Sequence, residues 1–360
     1  MSAPPKIVPG NNAVLQRGQL YRAAIVGAGT LKGKEVAEML SERNFPAADI
    51  RLLDDDESIG RLEATGDEIN FIQSLRLEQF TNVDFTFFAA DAQTTRDNWK
   101  RARDAGSAII DLSGALENED GVEVRSLWIE RERGNMWQPE LQPAPCIVPH
   151  PAALTLALLL LRARKAGEIR CAAATVFEPA SERGQKGMDE LHQQTVNLLS
   201  FQTLPKDLFD AQVAFNMVAR YGQKSSLSLE ALEARVRKQY QELSGAKVPQ
   251  PALLMLQPPV FHGIAVSLFL EMDSPVNEAK LSEALSGDHV TLAAAEDDDS
   301  QPSNVNTAGQ PNILVSLKRD VSNPKGVWIW AAVDNLRVAA ITAVECAESM
   351  IPTRPLGKIQ

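Results

Sequence analysis

Residues 21–36, YRAAIVGAGTLKGKEV, carry the reading on which the fold turns. Tyr21 to Val26 is a short apolar run that meets Gly27 and Gly29 directly, the pattern of a buried strand entering a glycine turn. Beyond Thr30 and Leu31, the apolar residues Val36, Met39 and Leu40 fall on one face of a helix. Strand, glycine turn and helix in that order suit a dinucleotide site. Free N–H groups at the helix N-terminus face a pyrophosphate, and glycines keep side chains out of its way. Gly27, Gly29 and Gly33 are spaced GxGxxxG and not GxGxxG, so an ordinary left-handed turn stands as a second reading. Asp54 follows Gly33 by 21 residues, at the end of the strand DIRLLDDD (49–56), where an acid would hold a ribose 2′-hydroxyl. Asp55, Asp56 and Glu57 come next. Four acids would repel a 2′-phosphate and favour NAD over NADP; the alternative is a solvated acidic turn.

Further strands are expected in NVDFTFFAAD (82–91), SAIIDLSG (107–114) and PCIVPHP (145–151). Alternating with helical stretches, they predict a doubly wound parallel sheet through residue 150. The texture then changes. ALTLALLLLRARK (153–165), 185–200 and 227–245 read as helices, while IRCAAATVFEPA (169–180), VFHGIAVSLFLEM (260–272), NILVSLKRD (312–320) and GVWIWAAV (326–333) read as strands. Strands that succeed one another with one apolar face predict an antiparallel sheet with helices on one side. Residues 293–312 are a polar loop, and an amphipathic helix over 335–350 is placed to return to the first domain.

Composition narrows the function. Among 360 residues, 36 Lys+Arg against 47 Asp+Glu leave a net charge of −11, which argues against a nucleic-acid or anionic-membrane surface. The longest apolar run, Ala152 to Leu161, is too short to span a bilayer, and no secretory signal opens the chain. A cytoplasmic protein is expected. Cys146, Cys171 and Cys346 are too few and too scattered for a disulfide framework or zinc cage, and His150, His192, His262 and His289 show no ligand spacing. No metal is expected.

Taken together, residues 21–350 resemble the aspartate-semialdehyde dehydrogenase family. VGAGTLKGKEV (26–36) stands where the family has VGATGxVGxE, and LLDDDESIG (52–60) where it has LLASxRSAG. DFTFFAADA (84–92), AIIDLSGAL (108–116), CIVPHPAALT (146–155), TVFEPASERGQKGMDEL (175–191), AFNMVAR (214–220), PPVFHGIAV (258–266) and GVWIWAAVDNLRVAAITAVECAE (326–348) follow in family order. The resemblance implies an α/β protein: a Rossmann dinucleotide-binding domain (20–150 plus 335–355) and an α+β catalytic and dimerisation domain (151–334). It also implies a homodimer and a dinucleotide or other small-molecule ligand.

The family reduces an acyl phosphate through a Cys thiolate, with a His as acid/base, a Gln that positions the nucleophile, and basic residues that hold phosphate and carboxylate. Here the resemblance puts the nucleophile position on Ala153, the His position on Ile264, the Gln position on Glu178 and a phosphate-binding position on Glu117. The residues that read an NADP 2′-phosphate fall on Asp55 and Glu57. Arg235 keeps one basic residue on the substrate side, and Asn335 marks the nicotinamide pocket. His262 with Glu178 is a candidate acid/base pair; Cys146 is expected to be structural. Two functions follow as expectations. One is a family paralogue without the family's reaction, acting by binding or assembly. The other is an oxidoreductase that works with different residues.

Overall fold

A computed structural model describes residues 21–55, 60, 62–65, 68–134, 143–294 and 301–353. Asp56 and Glu57 of the acidic stretch lie outside them. The chain runs β1 (Tyr21–Val26), α1 (Leu31–Glu42), β2 (Ala47–Asp54), a β3–β4 hairpin (Leu62–Thr65, Glu68–Phe71) and β5 (Gln73–Ser74). Then come β6 (Phe85–Phe88), α2 (Ala92–Asp104), β7 (Ala108–Asp111), β8 (Glu123–Val124), α3 (Leu127–Arg133) and β9 (Cys146–Ile147). Seven of these strands form one sheet in the order β5-β2-β1-β6-β7-β9-β8, every pair parallel. Helices on both sides explain why β1, β6 and β7 are apolar without alternation: both of their faces are buried.

The second unit comprises α4 (Pro151–Ala166), β10 (Ile169–Phe177), α5 (Gly184–Leu199), α6 (Leu229–Ser244), β11 (Ala252–Leu256) and β12 (Ile264–Met272). It continues through α7 (Glu278–Leu285), β13 (Val290–Leu292), β14 (Ile313–Arg319) and β15 (Gly326–Val333). Its sheet, β11-β10-β12-β15-β14-β13, corrects the antiparallel expectation. The central ladders are antiparallel, but the edge pairs β10–β11 and β13–β14 are parallel. The edge strand β11 is reached through helix α6, a crossover of the kind a parallel pair requires.

Alternation along β15 sets the two faces. Val327, Ile329 and Ala331 enter the core, whereas Trp328 and Trp330 stay 42% and 38% exposed on the far side. The apolar run through α4 is buried from Pro151 to Ala163, as a core helix and not a membrane one. No described helix is long and apolar enough to cross a membrane. The last helix, α8 (Asn335–Met350), packs on α1. Arg337 bonds Glu35 at 2.9 Å and also Glu42, and Arg43 bonds Glu348 at 2.6 Å.

Candidate functional site

A cleft of about 580 Å³ opens where the two units meet, beyond the carboxyl ends of β1, β2, β6 and β7. Its first wall is the glycine turn. Gly27 has φ +85, and a Cβ there would lie 2.5 Å from Ala90 N; a Cβ on Gly33 would lie 2.1 Å from Gly27 O. Both positions therefore require glycine, one for the turn and one for the close approach of α1 to it. Thr30 is the helix N-cap. Its Oγ1 donates to Gly27 O at 2.8 Å and accepts from Gly33 N at 3.0 Å. Gly29, Thr30, Leu31 and Asp54 all line the cleft. Asp54 Oδ2 accepts from Gly29 N at 2.7 Å, so the acid that ends β2 sits against the turn. Among the described residues, this wall has the features of a dinucleotide seat: a capped helix N-terminus, room made by glycine, and a carboxylate at the end of β2.

The opposite wall is charged. Ser181, Glu182 and Arg183 line it, just before α5. Lys32 Nζ reaches across from α1 to Glu182 Oε2 at 3.1 Å. Asn335 is buried one layer back, at the start of α8. Its amide donates to Glu182 Oε1 at 2.7 Å and Ser181 Oγ at 3.1 Å, and its Oδ1 accepts from Gly263 N at 3.0 Å. Burial opposes the charge on Glu182, but the Lys32 ammonium, the His150 imidazole and the Asn335 hydrogen bond outweigh it and hold the pKa at about 2.

Deeper still, His150 caps α4. Its Nδ1 accepts from Ala152 N at 3.2 Å, which leaves the ring proton on Nε2. That nitrogen lies 3.3 Å from Glu178 Oε1 and 3.9 Å from Glu182 Oε2. His150, Glu178 and Glu182 thus bring donor atoms within 4.8 Å of one another. Glu178 is fully buried, and its Oε2 has no hydrogen-bond partner among the described residues. On the other side of His150, its backbone N donates to Gln239 Oε1 at 2.6 Å. Gln239 Nε2 and Arg235 Nε both donate to Glu117 Oε1 at 2.5 Å. A hydrogen-bonded chain therefore runs from Glu117 through Gln239 and His150 to Glu178.

Two family profiles cover most of the sequence: the semialdehyde dehydrogenase NAD binding domain over residues 22–155, and the dimerisation domain over 160–338. The chain belongs to the semialdehyde dehydrogenase family. A USG-1 protein homolog of Pseudomonas aeruginosa is 31% identical over 92% of this chain and 98% of its own length. An aspartate-semialdehyde dehydrogenase of Rickettsia conorii is 26% identical over 92% and 98%. Among solved structures, a probable aspartate-semialdehyde dehydrogenase from Pseudomonas aeruginosa superposes with a TM-score of 0.82 at 29% identity, covering 92% of this chain and 99% of that one. The aspartate semialdehyde dehydrogenase II of Vibrio cholerae shares the fold, with a TM-score of 0.79 at 23% identity over 93% and 99%.

Against this semialdehyde dehydrogenase background, the expected site residues divide. Gly27, Gly29, Thr30, Leu31, Gly33 and Asp54 assemble at one end of the cleft. Ala153 and Ile264 do not face it: both are fully buried in the main hydrophobic core, Ala153 inside α4 and Ile264 at the start of β12. The residue at the tip of α4 is His150. It, and not His262, is the imidazole against Glu178. His192 is exposed on α5, and His289 stacks on Trp128 away from the cleft. Cys146 and Cys346 are buried and Cys171 lies beside Glu271 on the second sheet, so no cysteine lines the cleft. Lys32, Glu182 and Gln239 were not singled out by sequence reasoning. For Glu182 a signal existed: SERG (181–184) puts a charged Glu-Arg pair directly before a glycine in one of the stretches that carry the family resemblance.

Proposed function

We propose that this chain is a dinucleotide-binding, dimer-forming member of the semialdehyde dehydrogenase family that does not carry out the family's covalent reduction of an acyl phosphate. The observation that carries this reading is the self-pairing of the substrate end. Arg235, the basic residue left on that side, is held by Glu117, itself in a position where the family resemblance expects a basic residue. With no cysteine in the cleft, no thioester can form there. Glu182, the carboxylate on the wall opposite the glycine turn, is held at about 2 and is a poor general base at neutral pH.

The His150–Glu178–Glu182 cluster is best read as a proton-bearing network and not as a metal site. The ring proton on His150 Nε2 occupies the lone pair a metal would need, and Lys32 already balances Glu182. For the cofactor, Asp54 and Asp55 at the ribose end favour a free 2′-hydroxyl over a 2′-phosphate, and NAD should bind at least about tenfold more tightly than NADP. Residues 20–150 with 335–355 would form the nucleotide unit and 151–334 the dimerisation unit. The outer sheet face bearing Trp328 and Trp330 would pair with a second copy.

Calorimetric titration with NAD and NADP, followed by assay with aspartate semialdehyde and phosphate, tests the reading. Binding of NAD without turnover is the expected result. A second reading, hydride transfer without a covalent intermediate, draws on the His150–Glu178 pair beside the cleft, and NAD-dependent turnover of an aldehyde would favour it.

A further inference from the structure

The cleft has an electrical polarity. Asp54 and Asp55 stand at the β2 end; Lys32, Arg183 and Lys186 line the end that faces the second unit. Lys32 is the anomaly. It is the second residue of α1, whose first turn contains no acid, so its charge opposes the positive end of the helix dipole. Its Nζ is held only across the cleft, by Glu182 at 3.1 Å, while Glu182 keeps a second partner in Asn335 at 2.7 Å. Glu182 would therefore remain hydrogen-bonded if Lys32 let go. Independently, Arg183 Nε and Nη2 are sealed from solvent with no hydrogen-bond acceptor among the described residues, although Arg183 lines the same cleft. Two cations border the space beside a capped helix N-terminus: Lys32, whose carboxylate partner has another hydrogen bond to fall back on, and Arg183, whose guanidinium lies over the Tyr221 ring. An anion with two or more charges is the chemistry that satisfies both.

We propose that Lys32 is the phosphate-selecting residue of this cleft, and that the Lys32–Glu182 pair is an ionic latch opened by the diphosphate of a bound nucleotide. This rests on the dinucleotide reading above. Lys32 Nζ exchanges a carboxylate on the second unit for the diphosphate on its own helix, and Arg183 adds a positive charge on the other wall. Specificity then follows for a nucleoside diphosphate moiety over a nucleoside without phosphates.

Calorimetric titration of the full chain with NAD, ADP and adenosine tests the latch. In Lys32→Met, affinity for NAD and ADP should fall at least tenfold while adenosine binding is unchanged; Lys32→Arg should retain most of the ADP affinity. Glu182→Gln, which removes the competitor, should bind ADP severalfold more tightly, and the double variant should behave like Lys32→Met. The latch is overturned if Lys32→Met binds ADP as wild type does, or if Glu182→Gln weakens ADP binding as much as Lys32→Met. That last pattern would mark a merely structural bridge. If wild type and Glu182→Gln both fail to bind NAD and ADP, the dinucleotide reading itself is lost and the latch with it. Binding by Glu182→Gln alone would support a latch that holds the wild-type cleft shut.

Discussion

The glycine-turn wall of the cleft and the polar chain that lies behind its far wall are built on different logic. At the nucleotide end, backbone does the work. Gly27 and Gly33 let the turn and α1 approach each other closely, Thr30 caps the first turn of α1, and side chains are conspicuous by their smallness. In the polar chain behind the far wall, side chains satisfy one another: Arg235 with Glu117, Gln239 with both Glu117 and His150, His150 with Glu178. Backbone geometry of the first kind is hard to alter without unfolding the turn, because each constraint is steric. Charge complementarity of the second kind can be rewritten one residue at a time, since a carboxylate beside a guanidinium is compensated wherever it came from. A fold can thus keep a nucleotide seat while its reaction chemistry is replaced.

The largest expected effect tests the steric end. Gly33→Ala places a Cβ 2.1 Å from Gly27 O, a clash with backbone that no rotamer relieves. The turn should lose on the order of 3 kcal/mol or more of stability in urea unfolding, with nucleotide binding lost as well. A variant that keeps wild-type stability would remove the steric half of the contrast.

Next in size is the acid limb of the stability curve, which reads the charged end. The folded pKa of Glu182, about 2, lies below its ordinary 4.5, so the unfolded chain takes up the proton first. Its contribution is complete above pH 4.5 and is lost as the pH falls through about 2; the difference corresponds to on the order of 3 kcal/mol. Urea unfolding between pH 6 and 2, comparing wild type with Glu182→Gln, should show the two curves converging toward the acid end. Parallel curves would mean that Lys32 and Asn335 do not hold the carboxylate charged.

The glycine-turn wall is written in local sequence patterns. Gly27, Gly29, Gly33 and Asp54 lie within one β-α-β stretch, and their roles depend on backbone conformation that short-range spacing encodes. The α4 helix and its burial were legible from an apolar run for the same reason. Pairings across long separations were not. Glu117 meets Arg235 only because α6 crosses over β8 and α4, and Lys32 meets Glu182 only because two units face each other. Charge gives no clue to its partner along the chain. The parallel edge strands escaped likewise, since β11 and β13 are too short for their direction to be read from alternation. The pairing of His150 with Glu178 depends on the cap geometry of α4, which spacing along the chain does not encode.

A smaller effect sharpens the account of self-pairing. Glu117 and Arg235 are partly exposed, at 16% and 25% of their side-chain surface, so their mutual attraction is screened. A double-mutant cycle with Glu117→Gln and Arg235→Gln should return a coupling of about 1 kcal/mol, diminished by added salt. A coupling near zero would mean that the substrate end is not held by this pair.

The smallest expected effect is none at all, and it concerns the position where the family pattern places a sulfur. Ala153 is the third residue of α4 and is fully buried among core residues, not at the tip that His150 occupies. A thiol at 153 would point into apolar surroundings, where the thiolate is disfavoured and reagent cannot reach. Ala153→Cys should therefore gain no semialdehyde dehydrogenase activity. In the native state it should also show the same fast-reacting thiol count as wild type with a disulfide reagent, because the core that buries residue 153 also shields a thiol placed there. The added thiol should react only on unfolding. One further fast thiol in the native protein would place residue 153 at the cleft and return the nucleophile position to it.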